Sequence, residues 1–240
     1  MYDLLGLARI ADDVYGDASN SVMLKDWHTD HLQDLHENDN FRVRAYWRAK
    51  GRIACVCFRG TANGKDAVVA DLGGIGLGLN ALAMKLNDAV EFTANVARRT
   101  EVCWLTGHSL GGAFAQLVGA ICQMPAVTWN APGALALLNQ MSGNPIRALV
   151  GGAGSAGASV LASLASFGLG GQVVSYFNKA AAGMGNDAFP PVANFRGNMD
   201  PVSLLGVHIG TPVQTIDCPT QLPHPHSMLP LIAALERRKT

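Results

Sequence analysis

EVCWLTGHSLGGAFAQLVGAICQ, running from Glu101 to Gln123, is the stretch whose reading decides the fold. Val102, Cys103, Trp104 and Leu105 form a short apolar run of β-favouring residues, and Ala113, Leu117, Val118 and Ile121 follow at helical spacing. A buried strand therefore turns directly into a helix. The bend is Gly107-His108-Ser109-Leu110-Gly111-Gly112. A serine held between strand and helix needs unusual backbone dihedrals, and glycines two residues before and after it remove Cβ atoms that would collide there. The Ser109 hydroxyl is then left projecting above the sheet. The free N–H groups and positive dipole end of the helix face any negative charge developing beside it, which makes the Leu110 N–H a natural oxyanion donor. A bare G-x-S-x-G is weak by itself; the strand-turn-helix setting is what separates a nucleophile from an ordinary glycine turn.

A chain of 240 residues is expected to form a single α/β domain spanning residues 1–240, with an ample core. Eighteen basic residues balance eighteen acidic ones, so no electrostatic footprint for nucleic acid is present and no acidic solvating tail. Charge is sparse and glycine abundant, which suits a surface facing lipid. The N-terminus, Met1 to Gly16, places Leu4, Leu5, Ala8, Ala11 and Tyr15 on one side of a helical wheel and Asp3, Asp12 and Asp13 on the other. It lacks the basic region, the continuous apolar core and the cleavage site of a signal peptide. The five cysteines, Cys55, Cys57, Cys103, Cys122 and Cys218, are odd in number, and the first three fall in expected core strands. They read as free buried thiols, made in a reducing compartment.

Residues 17–40 are polar and mostly aperiodic; His28, His31 and His36 match no zinc spacing and read as solvated loop residues. Phe41, Val43, Ala45 and Trp47 alternate with Arg42, Arg44, Tyr46 and Arg48, the pattern of a strand with one exposed face. Ile53 to Phe58 is apolar on both faces, so the two runs read as an antiparallel hairpin whose second strand lies deep in a sheet. Asn80 to Arg99 is an amphipathic helix, with Leu82, Leu86, Ala89, Val90, Thr93 and Val96 facing in. Ala126 to Asn130 and Val192 to Phe195 read as further strands, Ala134 to Met141 and Leu229 to Arg238 as helices.

Phe58-Arg59-Gly60-Thr61 followed by Gly107-His108-Ser109-Leu110-Gly111-Gly112 resembles the class 3 lipase family, the group containing the fungal triacylglycerol lipases. The resemblance covers most of Phe41 to Asn130 and resumes from Asn194 to Ile232. It implies an α/β-hydrolase fold, a mostly parallel central sheet flanked by helices. It also implies that Thr61 supplies a backbone N–H, and often a hydroxyl, to an oxyanion hole completed by Leu110. A loop leaving the C-terminal edge of a neighbouring strand does reach the same crevice as the elbow.

From Ala62 the chain departs from the family pattern. A lid is expected over residues 62–82, with a mobile flap at Asp71 to Leu82, where glycines disfavour regular helix and intervening leucines can close over a site. A structural linker is the competing reading. A Gly/Ala-rich cap insertion is expected over residues 134–191, a stretch the resemblance does not cover. It is uncharged from Ala148 to Asn178, for which a flexible cap, a lipid-contacting element, a close-packed pair of small-residue helices and a membrane span compete.

A serine nucleophile needs a histidine to take its proton and a carboxylate to orient that histidine, and α/β-hydrolases carry them in the order Ser, Asp or Glu, His. Asp200 is preferred because Asn198-Met199-Asp200-Pro201-Val202 follows an expected strand and resembles the family's catalytic-aspartate turn. Asp217 is the runner-up. His226, before the C-terminal helix, resembles the family's loop-borne catalytic histidine; His224 is the alternative, and His208 reads as a turn residue or a neighbour of the site.

Ser109, His226 and Asp200, with Thr61 and Leu110 as oxyanion donors, give acyl transfer to water with no metal and no organic cofactor. The resemblance implies a lipid or phospholipid ester at a membrane or emulsion interface as substrate. A soluble short-chain esterase or thioesterase, and a non-catalytic membrane-binding protein on a hydrolase scaffold, are the competing classes. Without a signal peptide, the chain is expected to be cytoplasmic in its producer. Similarity to small bacterial members further implies export by contact-dependent machinery as an antibacterial phospholipase, with delivery and immunity proteins as partners. Routing the chain to the bacterial periplasm should then arrest growth and deplete phospholipid; unchanged growth and lipid would remove that expectation.

Overall fold

The computed structural model describes residues 3–17, 20–30, 34–38, 41–60, 79–134, 192–218 and 225–238. Among them, strands β1 (Leu35–Asn38), β2 (Phe41–Arg48), β3 (Ile53–Phe58), β4 (Val102–His108), β5 (Ala126–Trp129), β6 (Val192–Gly197) and β7 (Gln214–Ile216) form one sheet in sequential order. The first three make an antiparallel meander, and β3 through β7 run parallel. Parallel neighbours need crossovers, and these put helices over both faces.

Helices α3 (Leu79–Ala97) and α4 (Leu110–Cys122) cover one face, where Leu86, Ala89, Val90, Phe114, Leu117 and Ile121 pack on Val43, Ala45, Val56 and Phe58. Helices α1 (Leu4–Asp13) and α5 (Met228–Arg237) cover the other, where Leu5, Ile10, Leu231 and Leu235 meet Cys55, Cys57, Val127 and Trp129. A short α2 (Ser21–Leu24) follows α1. This is the α/β-hydrolase arrangement: a mostly parallel sheet, helices on both sides, and the serine elbow on a central strand. No helix among the described residues is long and apolar enough to cross a membrane.

The second face of β2 departs from expectation. Arg42, Arg44 and Tyr46 are buried, and they lie under the C-terminal end of α1. Arg44 pairs with Asp13 at 3.4 Å, and the Tyr46 hydroxyl donates to the same carboxylate at 2.9 Å. Asp13, which the wheel puts on a polar side, is thus also interior. Alternation correctly shows that the two faces of β2 differ; the polar one meets ionic partners instead of water.

The polar segment before β2 holds more order than its composition suggests. Leu35-His36-Glu37-Asn38 is an edge strand, kept polar as edges commonly are, and Glu37 bonds Arg42 through both carboxylate oxygens. His36 lies on that strand with Nε2 at 3.3 Å from Asp88, and His28 bridges Trp47 through its backbone, so neither is a free loop residue. His31 lies outside the described residues. All five cysteines are free; burial raises the thiols of Cys55, Cys57, Cys103, Cys122 and Cys218 above their ordinary value. Of the lid and the cap, residues 62–78 and 135–191 lie outside the described residues, as does all but the first residue of the expected 134–141 helix.

Candidate active site

Ser109 follows the last residue of β4 and precedes α4, with φ 58° and ψ −132°, a conformation that serine adopts only when its surroundings impose it. Two close approaches impose it. A Cβ on Gly107 would collide with the Gly111 carbonyl, and one on Gly111 would collide with the Phe58 carbonyl. The elbow is therefore wedged between β3 and its own helix, as the glycine spacing requires. The Ser109 amide donates to the Trp129 carbonyl at 3.0 Å. Gly112 and Ala113 are the first α4 residues to bond back onto the Ser109 carbonyl. The Leu110 and Gly111 amides belong to the helix's opening turn, which has no intrahelical acceptor.

The Ser109 Oγ lies 2.8 Å from His226 Nε2, and His226 Nδ1 lies 2.6 Å from Asp200 Oδ1. Asp200 sits in the turn after β6, where its amide donates to the Gly197 carbonyl at 3.1 Å. Pro201 opens a short 3₁₀ turn there, and Oδ2 accepts the Ser203 amide at 2.8 Å. Burial alone would raise the Asp200 carboxyl, but hydrogen bonds from His226 and Ser203 outweigh it and hold the group below its ordinary value. An ionised Asp200 fixes the proton of His226 on Nδ1. Nε2 is then the acceptor that faces the serine hydroxyl.

His226 directly precedes Ser227, whose Oγ caps α5 by accepting the Leu229 amide at 3.2 Å. Its carbonyl accepts from His108 Nε2 at 2.6 Å and from Asn130 Nδ2 at 3.3 Å. Asn130 Oδ1 in turn accepts the Gly197 amide at 2.8 Å, so one side chain ties the Asp200 turn to the His226 loop.

The other candidates separate cleanly. Asp217 is exposed and bonds Asn198 at 3.0 Å, away from the histidine. His208 Nε2 donates to the Ala131 carbonyl at 2.8 Å, and burial lowers its basicity. Thr61 and His224 lie outside the described residues. A cavity of about 440 Å³ lined by His28, Asp34, Trp47 and Arg99 lies by the N-terminal ends of β3 and β4, opposite the end that carries Ser109.

Sequence reasoning gave no role to His108, Tyr15 or Asn130. His108 was visible inside the elbow motif, yet nothing in a motif states what a side chain meets in distant loops. Burial, reinforced by the nearby His226, pushes the His108 imidazole down to about 3. Because the folded state resists protonating it, its contribution to stability is fully present above the unfolded value near 6.5 and is lost as the pH falls from there towards 3. The expected slope is about 1.4 kcal/mol per pH unit from this group. Urea unfolding between pH 6 and pH 4.5 should show the wild type losing stability more steeply than His108→Gln, the difference approaching that slope.

The chain is similar to known proteins in three respects. Residues 6–193 match the profile of the Tle-like phospholipase domain; Asp200 and His226 lie beyond the matched segment. Short stretches match proteins named "Putative lipase ATG15": 66% identity over 32 residues in Candida glabrata and in Eremothecium gossypii, and 43% over 49 residues in Lodderomyces elongisporus. These matches take in 13%, 13% and 20% of this chain, which spans only 6%, 6% and 9% of those relatives. The crystal structure of a mutant form of MDLA from Penicillium cyclopium superposes with a TM-score of 0.46 at 13% identity, over 92% of this chain and 81% of that one. With more than half its length matched, the chain belongs to the Tle-like phospholipase domain family, a lipase-like group of hydrolases.

Proposed function

We propose that the protein hydrolyses carboxylic esters of lipids, phospholipids foremost, through an acyl-enzyme on Ser109. The observation that carries this is the unbroken chain Ser109 Oγ, His226 Nε2, His226 Nδ1, Asp200 Oδ1 at 2.8 and 2.6 Å. His226 takes the Ser109 proton as Oγ attacks the ester carbonyl. Asp200 stabilises the resulting imidazolium, and the Leu110 amide, with Thr61 expected beside it, receives the oxyanion. His226 then gives its proton to the leaving alkoxide, and a water repeats the sequence to free the fatty acid and restore Ser109.

Two features favour a lipid over a soluble ester. The family carries phospholipase in its name. Met199, Leu204, Leu205 and Val207, flanking Asp200, and Leu229, three residues beyond His226, are exposed large apolar side chains. Exposed apolar side chains on the segments that carry Asp200 and His226 suit a substrate that arrives from a lipid interface. Fatty acid release should be measured from phospholipid vesicles, emulsified triacylglycerol and a soluble short ester. Vesicles should rank first; a soluble ester turned over fastest, with no rise at an interface, would identify an esterase instead.

A further inference from the structure

We propose that Tyr15 and His108 are positioning residues for this reaction, forming a one-directional hydrogen-bond relay that locks the base loop and the base of the oxyanion loop onto the nucleophile strand. The proposal rests on the serine-hydrolase reading above.

The direction of each bond follows from the chemistry of its partners. His108 Nε2 faces the His226 carbonyl at 2.6 Å; a carbonyl cannot donate, so Nε2 carries the proton. In a neutral ring Nδ1 must then accept, and its partner at 2.9 Å is the Tyr15 hydroxyl, which donates. The Tyr15 oxygen also accepts the Gly60 amide at 3.1 Å. The relay therefore runs from the Gly60 N–H to Tyr15 to His108 to the His226 carbonyl, and every group in it is used. Burial supports it at both members, holding the imidazole neutral and raising the phenol so that it keeps its proton.

Its placement gives it a function. His108 adjoins Ser109, His226 is the proposed base, and Gly60 adjoins Thr61, the expected second oxyanion donor. Three segments that meet only in the fold are thus pinned to one another within a few ångströms of the reacting atoms. Tyr15 is itself held from behind. Arg42 donates to the carbonyls of Val14 and Gly16 at 3.4 and 3.1 Å, and Arg44 donates to those of Asp13 and Gly16 at 3.5 and 3.1 Å, so the carbonyls on both sides of Tyr15 are clamped. The buried polar face of β2 thus holds the segment that carries Tyr15. Misplacing a reacting group by about 1 Å can lower a rate by about 100-fold.

The test uses the 240-residue chain and its Tyr15→Phe, His108→Gln and His108→Leu variants. For each, the second-order rate of fluorophosphonate labelling, kcat and KM on a soluble short ester, and the low-field proton resonance of His226 Nδ1–H are measured. Tyr15→Phe, which removes one oxygen, should label roughly 10-fold more slowly with KM unchanged and the resonance shifted or broadened. His108→Gln, which can still donate to the His226 carbonyl, should retain more activity than His108→Leu. Labelling and kcat within twofold of wild type in folded Tyr15→Phe, with the resonance unmoved, would overturn the relay alone. A wild type that does not label at all would overturn the nucleophile assignment and the relay with it. Should His108→Leu fail to fold, Tyr15→Phe still decides.

Discussion

Replacing Ser109 with alanine should abolish ester hydrolysis, lowering kcat by about 10⁵- to 10⁶-fold while the protein stays folded and KM on a soluble ester changes little. Only the hydroxyl is removed, so the elbow keeps the same Cβ at the same φ of 58° and the glycine wedge against β3 is untouched. What would disappear is the atom proposed to form the acyl bond. His226→Ala should approach the same floor, because members of a triad act as a unit and their losses do not add. Asp200→Asn should lose about 10⁴-fold, since an amide can offer its N–H to His226 Nδ1 and favour the wrong tautomer. Steady-state kinetics on the three variants, with thermal unfolding to confirm that each is folded, checks the ordering. A Ser109→Ala protein retaining a tenth of wild-type kcat would place the chemistry elsewhere.

Asp13→Ala is the second large effect, and it acts on stability. The Asp13 and Arg44 side chains are 1% and 0% exposed, so removing the carboxylate leaves an interior guanidinium without its ionic partner and orphans the Tyr46 hydroxyl. Breaking a buried pair from one side costs about 3–5 kcal/mol. Urea denaturation should register that loss as a lower midpoint at constant m-value. Replacing both ends together, as Asp13→Leu with Arg44→Met, should return much of the stability, because the penalty lies in the stranded charge. The double variant should nonetheless hydrolyse ester more slowly than wild type, since Arg44 no longer holds the Gly16 carbonyl beside Tyr15. A destabilisation under 1 kcal/mol for Asp13→Ala would show that the pair is not buried as described.

The parts of the molecule legible in the sequence are those whose chemistry is local. Gly107 and Gly111 announce the elbow because their spacing around Ser109 is itself local, although the backbone that forbids a Cβ is local only for Gly107, and the apolar runs of β3, β4 and β5 announce strands covered on both faces. Asp200 and His226 were legible through the turn and the helix start that carry them, and they do converge on Ser109. Edge strands were not legible: Leu35–Asn38 and Gln214–Ile216 are short and polar, and only pairing with β2 and β6 makes them strands. The burial of the β2 arginines is not legible because alternation reveals that two faces differ but not what covers the polar one. Tyr15, His108 and Asn130 were hidden for a related reason. Each acts across a sequence separation of between 45 and 118 residues, on backbone groups or side chains that no local pattern marks.

The central claim is that Ser109 is a nucleophile activated by His226. Intact-mass and peptide mass spectrometry of the 240-residue chain after fluorophosphonate treatment tests it most directly. One adduct is predicted, carried on the peptide containing Ser109, absent from Ser109→Ala and strongly slowed in His226→Ala. No adduct on wild type, or an adduct on another residue that persists in Ser109→Ala, would contradict it.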